Sequence, residues 1–152
     1  MKPARYFFSI ITFLIISAVY VFAADWTRTV NGEIWNRIKK ENQRYFITGY
    51  LQGLDKAENI IDITVRTQKQ NEFAFTEPFY VHQMRIKISE YLPSSDQSVD
   101  FLVDLLNAFY ADPYNVKIPF EAALRITLVR QKGEIEKSDF WLKEARRNVG
   151  IK

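Results

Sequence analysis

His82 is the only histidine of the chain, and there is no cysteine. A histidine-based triad or acid–base pair would therefore have to use His82, and one histidine without thiolates cannot build the usual zinc sites. The simpler reading of His82 is an isolated surface or partly buried side chain. No H-E-x-x-H, G-x-S-x-G, glycine-rich phosphate loop or acidic calcium loop occurs, so no catalytic residue, metal or cofactor is expected. Carboxylates are the remaining candidates for chemistry. Asp96, Asp100 and Asp104 follow one another at helical spacing, and Asp100 with Asp104 has the composition of an acid–base pair; on the wet side of a helix, such a pair is ordinarily a solvated face. Like charges on adjacent turns repel mildly, and a basic partner would relieve that cost. Asp112-Pro113-Tyr114-Asn115 puts an aromatic and two polar groups on a loop, where binding residues are often displayed. Asp100, Asp104, Asp112, Tyr114 and Asn115 are thus the candidate binding residues, with stripe and corner forming one surface outside the core.

These residues are positioned by two helices around a tight corner, Leu92 to Gly133. The first is expected to start near Ser94, with Gln97 as capping-box partner. At about 100° per residue, Val99, Leu102, Val103, Leu105, Leu106, Phe109 and Tyr110 share one face, and Asp100, Asp104 and Asn107 point the other way, toward water. Asp112-Pro113 stops this helix, and Tyr114-Asn115 offers a turn in which Asn tolerates left-handed angles. Pro119 then restarts a helix at its first position, and Gly133 ends it. Its apolar residues lie almost all round, so it is expected at the centre of the fold.

Met1 to Ala24 begins with Lys2 and Arg5, continues with the uncharged run Tyr6–Phe22, and ends in small residues. That is the pattern of a secretory signal peptide over residues 1–23 with cleavage after Ala23, the alternative being an uncleaved membrane anchor. Asn31-Gly32-Glu33 opens a short helix with Ile34, Trp35 and Ile38. A longer helix is expected from about Gln43 to Arg66, with Phe46, Tyr50, Leu54, Ala57, Ile61 and Val65 along one face. Gly49 and Gly53 are read as lying on that face one turn apart. Glycine costs about 1 kcal/mol inside a helix, so the pair is expected to mark a close helix contact that a bulky residue at Gly53 would overpack. Residues 78–91 fit a helix through Tyr80, Met84, Ile88 and Tyr91, although Met84–Ile88 also alternates like a strand. Ile135, Leu142, Ala145 and Val149 give a last amphipathic helix carrying Trp141, with Asp139 four residues before Lys143. The expected fold is one all-α domain of four to six helices over 24–152.

The 152 residues carry 21 Lys and Arg against 18 Asp and Glu, with 47% hydrophobic side chains. A core is affordable at this size, and intrinsic disorder is not the composition's direction. Without Lys2 and Arg5 the balance falls to 19 against 18, which is no argument for nucleic acid. The absence of cysteine leaves stability to packing alone.

The layout of an export signal, Y-F-I-T-G-Y-L-Q-G-L (Tyr45–Leu54), L-P-S-S-D-Q-S-V-D-F-L-V-D-L-L (Leu92–Leu106), D-P (Asp112, Pro113) and I-P-F-E-A-A-L (Ile118–Leu124) resembles the periplasmic Tai/Rap immunity proteins. The likeness spans about Trp35 to Leu128, and the chain has none of the cysteines common in that family. The segment F-Y-A-D-P-Y-N-V-K-I-P is also similar to a set of exported bacterial proteins of unknown function. The first resemblance implies an all-helical periplasmic protein that binds and blocks a peptidoglycan amidase. The residues themselves favour an exported binding protein with a protein partner, a second copy of the chain being admissible, over an enzyme. An envelope-associated structural protein held by an uncleaved Tyr6–Phe22 segment is the other reading.

Overall fold

Pro119 and Gly133 bracket the helix on which the others pack. The computed structural model describes residues 29–72 and 74–151. In chain order these form α1 (Gly32–Trp35), α2 (Lys40–Asn71), α3 (Phe79–Ser89), α4 (Val99–Tyr110), a 3-10 turn (Pro113–Asn115), α5 (Phe120–Gln131) and α6 (Ile135–Asn148). The fold is the expected all-α one, with six α-helices and no strand among the described residues. The signal peptide expected over 1–23 lies outside them. Among them, no helix is long and apolar enough to cross a membrane.

Pro119 is the extended residue just before α5 rather than its first helical residue, with φ −58° and ψ 147°. Gly133, at φ 84°, turns the chain out of the helix. Between them Phe120, Ala123, Leu124, Ile126, Thr127, Leu128 and Val129 are buried, so an apolar surface nearly all round does put this helix in the middle. Phe120 is the hub. Its ring lies 5.7 Å from that of Trp35, 4.8 Å from Phe46 and 5.1 Å from Tyr50, separations at which offset and edge-on aromatic pairs are favourable. The Phe120 N–H donates to the carbonyl of Val30 at 2.7 Å, which ties α1 to the start of α5. Asn31 caps α1 as expected, its Oδ1 accepting from the Ile34 N–H at 3.2 Å.

α4 starts later than expected, at Val99, with the Ser98 hydroxyl accepting from the Phe101 N–H at 3.2 Å. Ser94 and Gln97 do meet, the Ser94 N–H donating to Gln97 Oε1 at 3.2 Å, but they close a separate turn. Helix over Ser94–Gln97 would have no apolar side chain to bury, whereas from Val99 onward each turn delivers one to the core. Asp96 is therefore left exposed in that turn and is not part of a helical stripe.

On the side of α4 read as facing water, Asp100 and Asp104 are exposed as expected but carry ion pairs to α2, and Asn107 is the exception. Asp104 accepts from Lys40 Nζ at 2.8 Å, and Asp100 is paired with Arg44. Asn107 turns inward, its Oδ1 accepting from the Trp35 indole N–H at 2.7 Å and from Gln43 Nε2 at 3.3 Å. The basic partner that relieves the carboxylate repulsion is thus within the chain. Exposed pairs of this kind stabilise only by up to about 1 kcal/mol.

α2 runs longer at both ends than expected, and its phase corrects the glycine reading. The inward line passes through Gln43, Ile47 and Val65, which are buried, with Tyr50, Leu54 and Ile61 beside them. At about 100° per residue Gly49 and Gly53 fall roughly 140° and 100° from that line. Both are exposed, and a Cβ added at either would meet nothing within 4 Å. They form no close contact among the described residues, and a larger side chain at Gly53 has room. Gly49→Ala is accordingly expected to stabilise the protein by about 0.5–1 kcal/mol, the helix-interior cost of glycine. Chemical denaturation of the variant measures it, and a destabilised Gly49→Ala would restore the close contact.

Residues 79–89 are helical, which decides between the helix and strand readings, yet α3 has no buried residue. α6 packs along α5. The hydroxyl of the buried Ser138 donates to the Ile126 carbonyl at 3.2 Å, and Asp139 pairs with Arg130 at 2.9 Å rather than with Lys143.

Candidate functional site

The corner between α4 and α5 is built by local hydrogen bonds first. Pro113 starts a 3-10 turn, and Asp112 before it caps that turn, Oδ1 accepting from the Tyr114 N–H at 2.9 Å. Asn115 is buried and does not take the left-handed conformation expected of it; among the described residues only Gly133 and Gly150 have positive φ. Its side chain braces the corner instead. Nδ2 donates to the Phe109 carbonyl at 2.8 Å, and Oδ1 accepts from Arg146 Nε at 2.9 Å. The same guanidinium donates through NH2 to Asp112 Oδ2 at 2.6 Å. One arginine of α6 thus satisfies two corner residues at once, and as a rigid planar donor it fixes their relative position.

Tyr114 is what this bracing leaves in solvent. Its side chain is 59% exposed, and the Arg146 guanidinium carbon lies 5.8 Å from its ring centroid. Beside it runs a groove of about 750 Å³, lined by Tyr114, Leu142, Lys143, Arg146, Arg147 and Ile151 among others. Most of its charges are matched: Arg146 by Asp112, Arg147 by Glu144, and the nearby Asp139 by Arg130. Lys143 has no carboxylate partner among the described residues. The groove is therefore apolar with a slight positive bias.

Of the five candidate binding residues, the structure brings three together at the corner. Asp112, Tyr114 and Asn115 meet at the corner, with Asn115 inside it as a brace and unavailable to a partner. Asp100 and Asp104 are exposed on α4 and ion-paired with Arg44 and Lys40 of α2. His82 stands exposed on α3. Among the described residues no three of His, Asp and Glu are grouped to hold a metal ion. No family model, curated protein or solved structure matches the chain.

Arg146 was not singled out by sequence reasoning. Its only signal was Arg146-Arg147 near the end of a helix, where a cation complements the helix dipole. A second cluster was equally hidden. The Arg125 guanidinium lies 3.6 Å from the Trp141 ring centroid, and Nε donates to Glu90 at 2.9 Å. Lys137 reaches the same carboxylate at 3.0 Å. Burial pushes the Glu90 carboxyl up, but the hydrogen bonds from Lys137 and Arg125 outweigh it and hold the group below its ordinary range. This cluster fastens the end of α3 to α5 and α6, and next to it lies a smaller groove of about 520 Å³ that includes Tyr91, Arg125 and Trp141.

Proposed function

We propose that the protein is an exported helical binding protein that docks a protein partner on the Tyr114 corner. The observation that carries the proposal is a solvent-exposed aromatic held on a braced turn beside an apolar groove. Ring side chains of this kind anchor interfaces because they bury large area while losing little rotamer entropy, and prior bracing of the loop lowers the ordering cost of binding. The resemblance of Tyr45–Leu54 and Leu92–Leu106 to periplasmic immunity proteins supports a peptidoglycan amidase as the class of partner. The basic, apolar and small-residue pattern of Met1–Ala24 supports export.

The test is equilibrium binding and inhibition with purified cell-wall amidases of the producing cell and its competitors. Tyr114→Ala is expected to weaken a cognate complex about tenfold to a hundredfold, mainly through faster dissociation, while shifting the melting temperature by no more than about 2 °C. A cognate partner that binds Tyr114→Ala unchanged would move the interface elsewhere. If none of the amidases is bound or inhibited, that partner class is wrong.

A further inference from the structure

We infer that the groove beside Tyr114 takes an amphipathic helix of the partner and that this helix sets an Asp or Glu against Lys143, an inference that rests on reading the corner as a docking surface. The groove, of about 750 Å³, lies between Tyr114 and one face of α6. Apolar surface runs on past it along α6. Ile135 is 46% exposed and stands nearly in line with Leu142, seven residues on, while Phe140, 61% exposed, forms the opposite flank. Lys143 lies between the two flanks, about 60° round the helix from Phe140 and 100° from Leu142. Asp139, Arg146 and Arg147 lie between them too, but Arg130, Asp112 and Glu144 respectively neutralise them. Lys143 is exposed, and it is the one charge of the groove lining that has no ion pair among the described residues.

The lysine selects the chemistry of the occupant. An apolar segment closing over Lys143 would strip water from its ammonium, which is strongly unfavourable unless a counter-charge arrives with the segment. A carboxylate at that point of the partner removes the cost. A basic residue there would add repulsion, so Lys143 rejects wrong partners as well as pairing with the right one. Backbone hydrogen bonding selects the form. α6 keeps its N–H and C=O groups within the helix, and there is no strand among the described residues, so an extended segment covered here would leave its own backbone polar groups unmatched. A helix satisfies its own backbone and can present apolar side chains at i, i+3 or i+4 and i+7. The 14 residues of α6 rise about 20 Å, which gives three to four turns in contact. A lipid surface fits less well, because one unmatched cation gives little attraction to anionic headgroups.

Phage-displayed helical peptides of about fifteen residues, randomised on one face and selected on the purified full chain, test this before any partner is known. The selected peptides are expected to be apolar at i, i+3 or i+4 and i+7, with an Asp or Glu among those positions. By fluorescence anisotropy, Lys143→Glu should weaken a selected peptide roughly thirtyfold or more, and exchanging the peptide's carboxylate for lysine should restore binding to that variant to within about threefold. Tyr114→Ala should weaken the peptide about tenfold. Neither variant should shift the melting temperature by more than about 2 °C, since both side chains are exposed. A selection that enriches nothing overturns the inference, as do peptides without an acidic preference or peptides indifferent to Lys143→Glu. Phosphatidylglycerol vesicles that bind the parent but not Lys143→Glu, where no peptide binds, overturn it in favour of a lipid surface. A cell-wall amidase bound through Tyr114 yet indifferent to Lys143→Glu overturns this inference alone, whereas acidic peptides selected where no amidase binds uphold it and remove only the amidase as the partner class.

Discussion

Trp35→Ala is expected to cost the protein about 4 kcal/mol, most of the stability margin of a domain this size. The indole is fully buried. It stacks on Phe120 at 5.7 Å and meets the edge of Phe46 at 6.2 Å, so its removal opens a cavity between α1, α2 and α5. Its N–H also donates to Asn107 Oδ1 at 2.7 Å, and without it that oxygen keeps only Gln43 Nε2 at 3.3 Å. The two contributions can be separated. Trp35→Phe keeps most of the packing and loses the donor, and it should cost about 1–2 kcal/mol. Urea denaturation of the three proteins reads both numbers. A Trp35→Ala variant within about 1 kcal/mol of the parent would mean that α1 is not docked on α5.

Gly32→Ala is expected to destabilise by about 2–4 kcal/mol, although alanine is the better helix former and Gly32 opens a helix. A Cβ at Gly32 would sit 2.5 Å from Tyr110 Cδ1, 2.8 Å from Val116 Cα and 2.9 Å from the Val116 carbonyl oxygen. Two of the three obstacles are backbone. The third cannot swing aside, because the Tyr110 ring is buried and its hydroxyl donates to the Ile118 carbonyl at 3.1 Å. α1 would have to lift off the corner, loosening the Phe120–Val30 hydrogen bond as well. Tyr110→Leu should not rescue the variant, since the Val116 backbone remains. The same Gly→Ala exchange thus has opposite expected signs at two sites, destabilising at Gly32 and stabilising at Gly49, and denaturation midpoints of the pair decide it. If Gly32→Ala is as stable as the parent, the close approach of α1 to the corner is absent.

That contrast shows where sequence reading ends. Glycine in a helical pattern signals a cost, but the compensating neighbour lies elsewhere in the chain. Gly49 and Gly53 had the spacing of a contact and have none among the described residues; Gly32, read only as part of a helix start, has the tightest one there. Periodicity has a similar limit. It placed Leu102, Val103, Leu106 and Tyr110 in the core of α4 correctly, because burying them is favourable whichever helix covers them. It placed Asp100 and Asp104 in water, where they are, although paired with Arg44 and Lys40; it missed Asn107, because one amide can satisfy a buried indole.

By itself the sequence determined what depends on the chain's own neighbours within a turn or two. The Asn31 cap, the stop after Tyr110 imposed by Asp112-Pro113, the restart after Pro119, the end at Gly133 and the apolar circumference of α5 are all of that kind. Only the tertiary structure decided which helices meet. It brought Arg146 to Asp112 and Asn115 across more than thirty residues, turned Asn115 from a displayed group into a brace, and left Tyr114 as the exposed member of the corner. The physical reason is that caps, turns and helix phase follow from local backbone sterics and hydrogen bonding, whereas pairing of distant polar groups depends on the geometry in which the apolar faces pack. Many polar pairings are compatible with the same hydrophobic pattern, and the packing selects one.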